Sequence, residues 1–315
     1  MSRRAATRLS GWISRQLPLL PKRPCLLIET GAFCFTLPFY KYFPMRLLLC
    51  IIGLLTTLSA TAQPLTRTPF VIGETLEFPS AVLEETRILN VYLPQAYGRD
   101  TTMRFPVIYL LDGSTDEDFI HIAGLVQFQA FPWLDMLPPS IVVGIANVDR
   151  TRDLTYPGRD TAYLRDYPTS GGSAAFMRFI EEEVQPLIDR TYRTSASTTL
   201  IGQSLGGLFA TEVLYKRPHL FDKYLIVSPS LWYDDESMLT DWSVPKLTGK
   251  SVYIAVGKEG ETMERVARSL RRKLDEAPTH PTRLGFGYYE DLHHGDTLHQ
   301  AAYDGLKFLF KQFNK

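Results

Sequence analysis

With 315 residues, 45% of them hydrophobic, the chain has room for one large domain or two small ones and for a substantial core. Its 34 basic and 34 acidic residues balance, but eight of the former and one of the latter precede Gln63, which leaves 26 basic against 33 acidic groups in residues 63–315. That acidic remainder lacks the clustered positive charge of a nucleic-acid binder. Because Cys25, Cys34 and Cys50 all precede it, it also excludes a disulfide framework, a thiol nucleophile and a cysteine metal site.

Taken in chain order, Met45-Arg46 opens a short positive segment, Leu47–Leu55 is apolar, and Ala60-Thr-Ala62 supplies an A-x-A cleavage pattern. This is the layout of a secretory signal peptide over 45–62, cleaved after Ala62, and its apolar run is shorter than the ~20 residues of a membrane span. Residues 1–44 are basic and aperiodic and are expected to be a spurious or disordered extension; the alternative is a long leader or anchoring segment. The expected product is a secreted or periplasmic single domain, 63–315, with no membrane span.

From Gln63 onward, strands alternate with helices. Strands are expected at 87–93, 106–111, 141–146, 198–201, 224–227, 252–256 and 283–289, and helices at 174–188, 205–216, 262–274 and 298–313. Such alternation implies an α/β fold with a mostly parallel central sheet and helices on both faces. Residues 147–173 are polar and rich in turn formers, and read as a long loop over one end of the sheet.

Gly202-Gln-Ser-Leu-Gly206 is a G-x-S-x-G pattern between an expected strand and an expected helix. There the chain must turn so sharply that flanking side chains would collide. The turn exposes the Ser204 hydroxyl and sets the Leu205 N–H at a helix N-terminus, where it can stabilise an oxyanion. The other reading is a glycine-rich turn with an inert serine. A nucleophilic serine needs a histidine base, and His293 and His294 follow the last expected strand. His121, His219, His280 and His299 lie in or beside helices or in a Pro-flanked loop.

Tyr92-Leu-Pro94, Pro106–Gly113, Arg150–Thr155, Phe179–Tyr192, Ile201–Gly207, Ser228–Trp232 and Glu290–Gly295 together resemble the esterase family of α/β hydrolases that includes enterochelin esterases, esterase D and the antigen 85 mycolyltransferases. The siderophore-esterase-like branch is the most similar. The family's His-Gly pattern selects His294 over His293. The family pattern also favours Glu261 as the acid orienting the histidine, with Glu259 as runner-up and Asp234, Asp235 and Asp291 behind. It implies Ser114, after Asp112-Gly113, as the second backbone oxyanion donor.

Arg150 and Arg152 lie in the long loop, where an arginine could hold an anionic or catecholate-like substrate or else close a loop salt bridge with Asp153 or Asp160. Trp232 would line a wall for aromatic acyl groups or pack the loop. No metal or cofactor set is expected, because His293 and His294 are adjacent and Gly202–Gly207 lacks the Lys-Ser/Thr of a phosphate loop. The implied activity is hydrolysis of a small-molecule carboxylic ester, of siderophore or trilactone type. The alternatives are a carbohydrate acetyl or feruloyl esterase, an acyltransferase, and a non-catalytic binding protein on the same fold.

Overall fold

The computed structural model describes Met45 and residues 65–311. The extension expected at 1–44 and the leader expected at 45–62 lie outside the described residues, Met45 apart. The chain divides into two units, Met1–Arg67 and Thr68–Lys315, and the second carries the fold below. No described helix is long and apolar enough to cross a membrane.

Eight strands form one sheet: β1 (Glu74–Ser80), β2 (Glu85–Tyr92), β3 (Phe105–Leu110), β4 (Ile141–Ile145), β5 (Thr194–Gln203), β6 (Lys223–Val227), β7 (Ser251–Gly257) and β8 (Arg283–Tyr289). Their order is β1-β2-β4-β3-β5-β6-β7-β8. The β1–β2 and β2–β4 pairs are antiparallel, and every other pair is parallel. From β3 the chain runs to β4 on one side, then crosses to β5 on the other. This reversal opens a crevice at the carboxyl ends of β3 and β5, the usual ligand position in an open parallel sheet.

Alternation along the strands builds a core on each face. Val107 and Tyr109 of β3, Tyr224 and Ile226 of β6, and Val252 and Ile254 of β7 meet Phe176, Phe179, Leu208, Phe209 and Leu270. Their neighbours Ile108, Leu110, Leu225 and Ala255 meet Phe119, Ile122, Val126, Ala302, Leu306 and Leu309 of two other helices.

The helix expected at 262–274 spans Glu261–Asp275. The one expected at 174–188 spans 173–191 but contains a π-helical turn, Ile180–Val184. The closing helix is Thr297–Phe310. Besides several short helices, two longer elements were not expected. The first is β1, a largely exposed edge strand that tolerates Pro79 because an edge leaves backbone groups unpaired. The second is the helix Phe119–Gln129, whose apolar residues run nearly all round and so give no period-3.6 signal.

The long loop holds two short helices, Arg150–Leu154 and Thr161–Asp166. Its root is fixed by a buried ion pair, Arg87 Nη1 to Asp153 Oδ2 at 2.7 Å, in which both side chains are almost fully buried. The Arg87 guanidinium also lies over the rings of Phe176 and Phe179. Arg152 donates to both Glu85 oxygens and to Asp153. Both arginines thus tie the loop to β2 rather than to anything in the crevice.

Candidate active site

Ser204 joins β5 to the helix Leu205–Lys216 with φ 59 and ψ −119, a conformation that costs a non-glycine residue about 1–3 kcal/mol. Its own backbone holds it there. The Ser204 N–H donates to Val227 O at 3.0 Å, and Ser204 O accepts from Leu208 and Ser230 N–H, each at 3.0 Å. A Cβ on Gly202 would lie 2.2 Å from Gly206 O, so the turn admits no side chain there. The Ser204 hydroxyl is 3.3 Å from Ser230 Oγ. Leu205, the first helical residue, leaves its N–H without an intrahelical partner.

His294 follows β8, and its Nδ1 is 2.5 Å from Glu259 Oε2. The loop carrying it is pinned beside the serine, since Gln203 Nε2 donates to His294 O at 2.6 Å. Glu259 is itself deeply held, with a side chain 1% exposed. Its Oε1 accepts from Ser228 Oγ at 2.5 Å, Gly257 N–H at 2.9 Å and Thr297 Oγ1 at 3.2 Å. Burial opposes its charge, but hydrogen bonds from His294, Ser228 and the Gly257 N–H outweigh it and hold the carboxyl below its ordinary range. An ionised carboxylate only accepts, so the His294 proton sits on Nδ1 and a neutral ring keeps its lone pair on Nε2. Among the described residues no hydrogen bond joins Ser204 to His294; such bonds are often long before substrate binds.

Glu259 therefore occupies the place expected of Glu261. The turn from Gly257 to Gly260 (φ 90) folds Glu259 back beneath Ser228, whereas Glu261 opens the helix Glu261–Asp275, exposed, where an acid suits the helix dipole. His293 instead braces the loop: its Nδ1 lies 3.0 Å from Lys258 O, and its N–H donates to Asp296 Oδ1 at 2.6 Å. Asp234 accepts from Arg159 N–H and Ser237 Oγ, away from the histidine.

Ser114 follows β3 at the crevice, but its N–H donates to Glu117 Oε2 at 3.2 Å, closing a capping-box-like turn. Arg150, expected as a substrate ligand or as the partner of Asp153 or Asp160, is instead bidentate to Asp112, Nε to Oδ1 at 2.6 Å and Nη2 to Oδ2 at 2.9 Å. Trp232 is 37% exposed, two residues beyond Ser230, with the Tyr163 ring edge-on at 6.1 Å. Sequence reasoning gave no role to Ser228, Ser230, Thr297 or Gln203. The Ser228-Pro-Ser230 run after a parallel strand was the available signal for the first two. No group of three or more His, Cys, Asp or Glu able to hold a metal ion lies among the described residues.

A family model described as "Putative esterase" matches residues 80–283. Ferri-bacillibactin esterase BesA of Bacillus subtilis is 31% identical over 168 residues, 49% of this chain and 58% of that protein, so the chain spans little more than half of that relative. The crystal structure of an IroE-like serine hydrolase from Shewanella oneidensis superposes with a TM-score of 0.66 at 30% identity, covering 76% of this chain and 80% of that one. The BES protein from Bacillus cereus superposes with a TM-score of 0.65 at 25% identity, covering 79% and 98%.

Proposed function

The chain belongs to the esterase family defined by that model, and on this premise we propose that it hydrolyses carboxylic esters through an acyl-enzyme on Ser204. The observation that carries the reading is the hydrogen-bonded His294–Glu259 couple on a loop tethered to the residue beside a strained serine. Ser204 Oγ attacks the ester carbonyl while His294 Nε2 takes its proton. The carbonyl oxygen becomes an oxyanion facing the Leu205 and Ser114 N–H groups, and Glu117 releases the latter. His294 returns the proton to the leaving alcohol, and water repeats the sequence on the acyl-serine. Glu259 fixes the tautomer and stabilises the imidazolium.

The substrate is a siderophore-type ester, a reading supported by the likeness to a ferri-bacillibactin esterase and an IroE-like hydrolase. An open site also supports it: the His294 side chain is 47% exposed, which suits a bulky ester. The domain acts after export, on the strength of the leader pattern at 45–62. N-terminal sequencing of exported protein should begin at Gln63.

Residues 63–315 should turn over nitrophenyl acetate and butyrate and react with a fluorophosphonate, and Ser204→Ala should lose both. Turnover that survives in Ser204→Ala would overturn the assignment. A siderophore lactone and a feruloyl ester offered side by side then separate the substrate classes.

A further inference from the structure

His121 and His299 take no part in the reaction. Each is the third residue of its helix, Phe119–Gln129 or Thr297–Phe310, and each lies three residues beyond an aspartate at the N-cap position, Asp118 or Asp296. The two helices pack together, and Gln129 Nε2 donates to Tyr303 O at 2.7 Å. Their first turns bring His299 Nδ1 to 3.3 Å from His121 Nε2, and both residues are exposed. The ring centroids are 5.0 Å apart and the ring planes cross at 53°.

Both facing atoms are ring nitrogens, so the pair needs an acid between them, either a proton or a metal ion. A head-on N–H···N bond of this length would set the centroids about 5.6 Å apart. The observed separation is shorter, so the rings bend towards a point beside the line that joins the nitrogens. Two nitrogens bound at about 2.0–2.1 Å to one tetrahedral ion lie about 3.3 Å from each other, which is the spacing between these two. Burial, then the facing His299, hold His121 below the ordinary histidine value, so its ring offers a lone pair rather than a charge. Asp118 and Asp296 set carboxyl groups at the same helix ends, where they offset the opposition of the helix dipoles to a cation. Imidazole ligands suit Zn²⁺, Ni²⁺ and Cu²⁺, whereas Mg²⁺ and Ca²⁺ take oxygen.

We propose that His121 and His299 form a two-ligand site for a divalent transition ion, with water completing its coordination. The ion staples the helix that follows the Ser114 turn to the helix that follows the His294 loop. The second of these starts at Thr297, whose hydroxyl donates to Glu259. The site does not depend on the ester chemistry, so the proposal stands apart from that reading.

The test uses the untagged full chain with its three cysteines alkylated, beside His121→Asn, His299→Asn, their double variant and His294→Asn. Calorimetric titration with Ni²⁺ or Zn²⁺ at pH 7.5 should find one ion per chain at the tightest site. Each single variant at 121 or 299 should bind about tenfold or more weakly, and the double variant no more weakly than either. His294→Asn should bind as the wild type does. Saturating Zn²⁺ should raise the wild-type melting temperature by about 3 °C, and Mg²⁺ should not. The Cu²⁺ electron paramagnetic resonance spectrum should show hyperfine coupling to two imidazole nitrogens. Affinity unchanged in His121→Asn, or lost in His294→Asn and kept in His299→Asn, would overturn the proposal. Losses that add in the double variant would mean two independent histidines and would overturn it too. If a variant fails to fold, Zn²⁺ should still shield both rings of the wild type from diethyl pyrocarbonate, and equal modification with and without the ion would overturn the site.

Discussion

At the scale of single residues, the acid partner of His294 decides how the site works. Glu259→Gln keeps the shape but turns an obligate acceptor into a group that can favour the wrong histidine tautomer. Its kcat should fall by about a hundredfold to ten-thousandfold, whereas Glu261→Gln should stay within about threefold. Steady-state kinetics on nitrophenyl butyrate checks both, and equal losses would contradict the geometry. Ser204 was legible in the sequence because a G-x-S-x-G turn has one steric solution, and the His-Gly resemblance singled out His294. The acid was not legible, because two glutamates lie in one turn and only the backbone at Gly260 decides which of them folds inward. The partner of Arg150 was not legible either, because an arginine over a crevice looks the same in sequence whether or not a carboxylate such as Asp112 holds it.

Among the elements, the helix Phe119–Gln129 begins under electrostatic strain. Asp118, at its N-cap position, makes no capping hydrogen bond and is raised from 3.8 to about 6 by burial first and then by Asp112 and Glu117. Because its folded value exceeds its unfolded one, the folded state binds the proton more tightly, and stability is lost as pH rises from about 4 through about 6. Asp118→Asn should therefore unfold at higher urea than wild type at pH 7.5, by about 1–2 kcal/mol once partial exposure is discounted, and the gap should close near pH 4. A gap independent of pH would refute this. Strands β2 to β8 were readable from apolar runs and alternation. This helix and β1 were not: one is apolar on nearly every side and the other buries little, so neither stamps a period on its sequence. The π turn at Ile180–Val184 leaves no local mark either.

Across the whole molecule, the candidate site is assembled from the ends of β3, β5, β7 and β8, so residues far apart in sequence meet only once the sheet has its order. The closing helix matters because it backs the strands on which Glu259 and His294 depend. Leu306 is fully buried there, and Leu306→Ala should cost about 2–5 kcal/mol in urea unfolding while leaving kcat of the folded fraction near wild type. A collapse of kcat without loss of stability would mean that the helix shapes the site directly. The fold class was legible from the alternation of strands and helices, and the position of the crevice was not, because strand order is set by long-range pairing. The long loop has its root riveted to β2 by Arg87, Asp153, Arg152 and Glu85, while Tyr163, Tyr167 and their neighbours ride beyond that rivet. Its outer stretch, 157–167, is clasped by the segment after β6: the Arg159 N–H donates to Asp234 Oδ1 at 2.5 Å, and the Tyr163 ring lies edge-on to Tyr233 at 5.0 Å. The loop is thus moored at two places, to β2 and to the turn beyond Ser230, so it is built as a strut between two anchorages and not as a free flap.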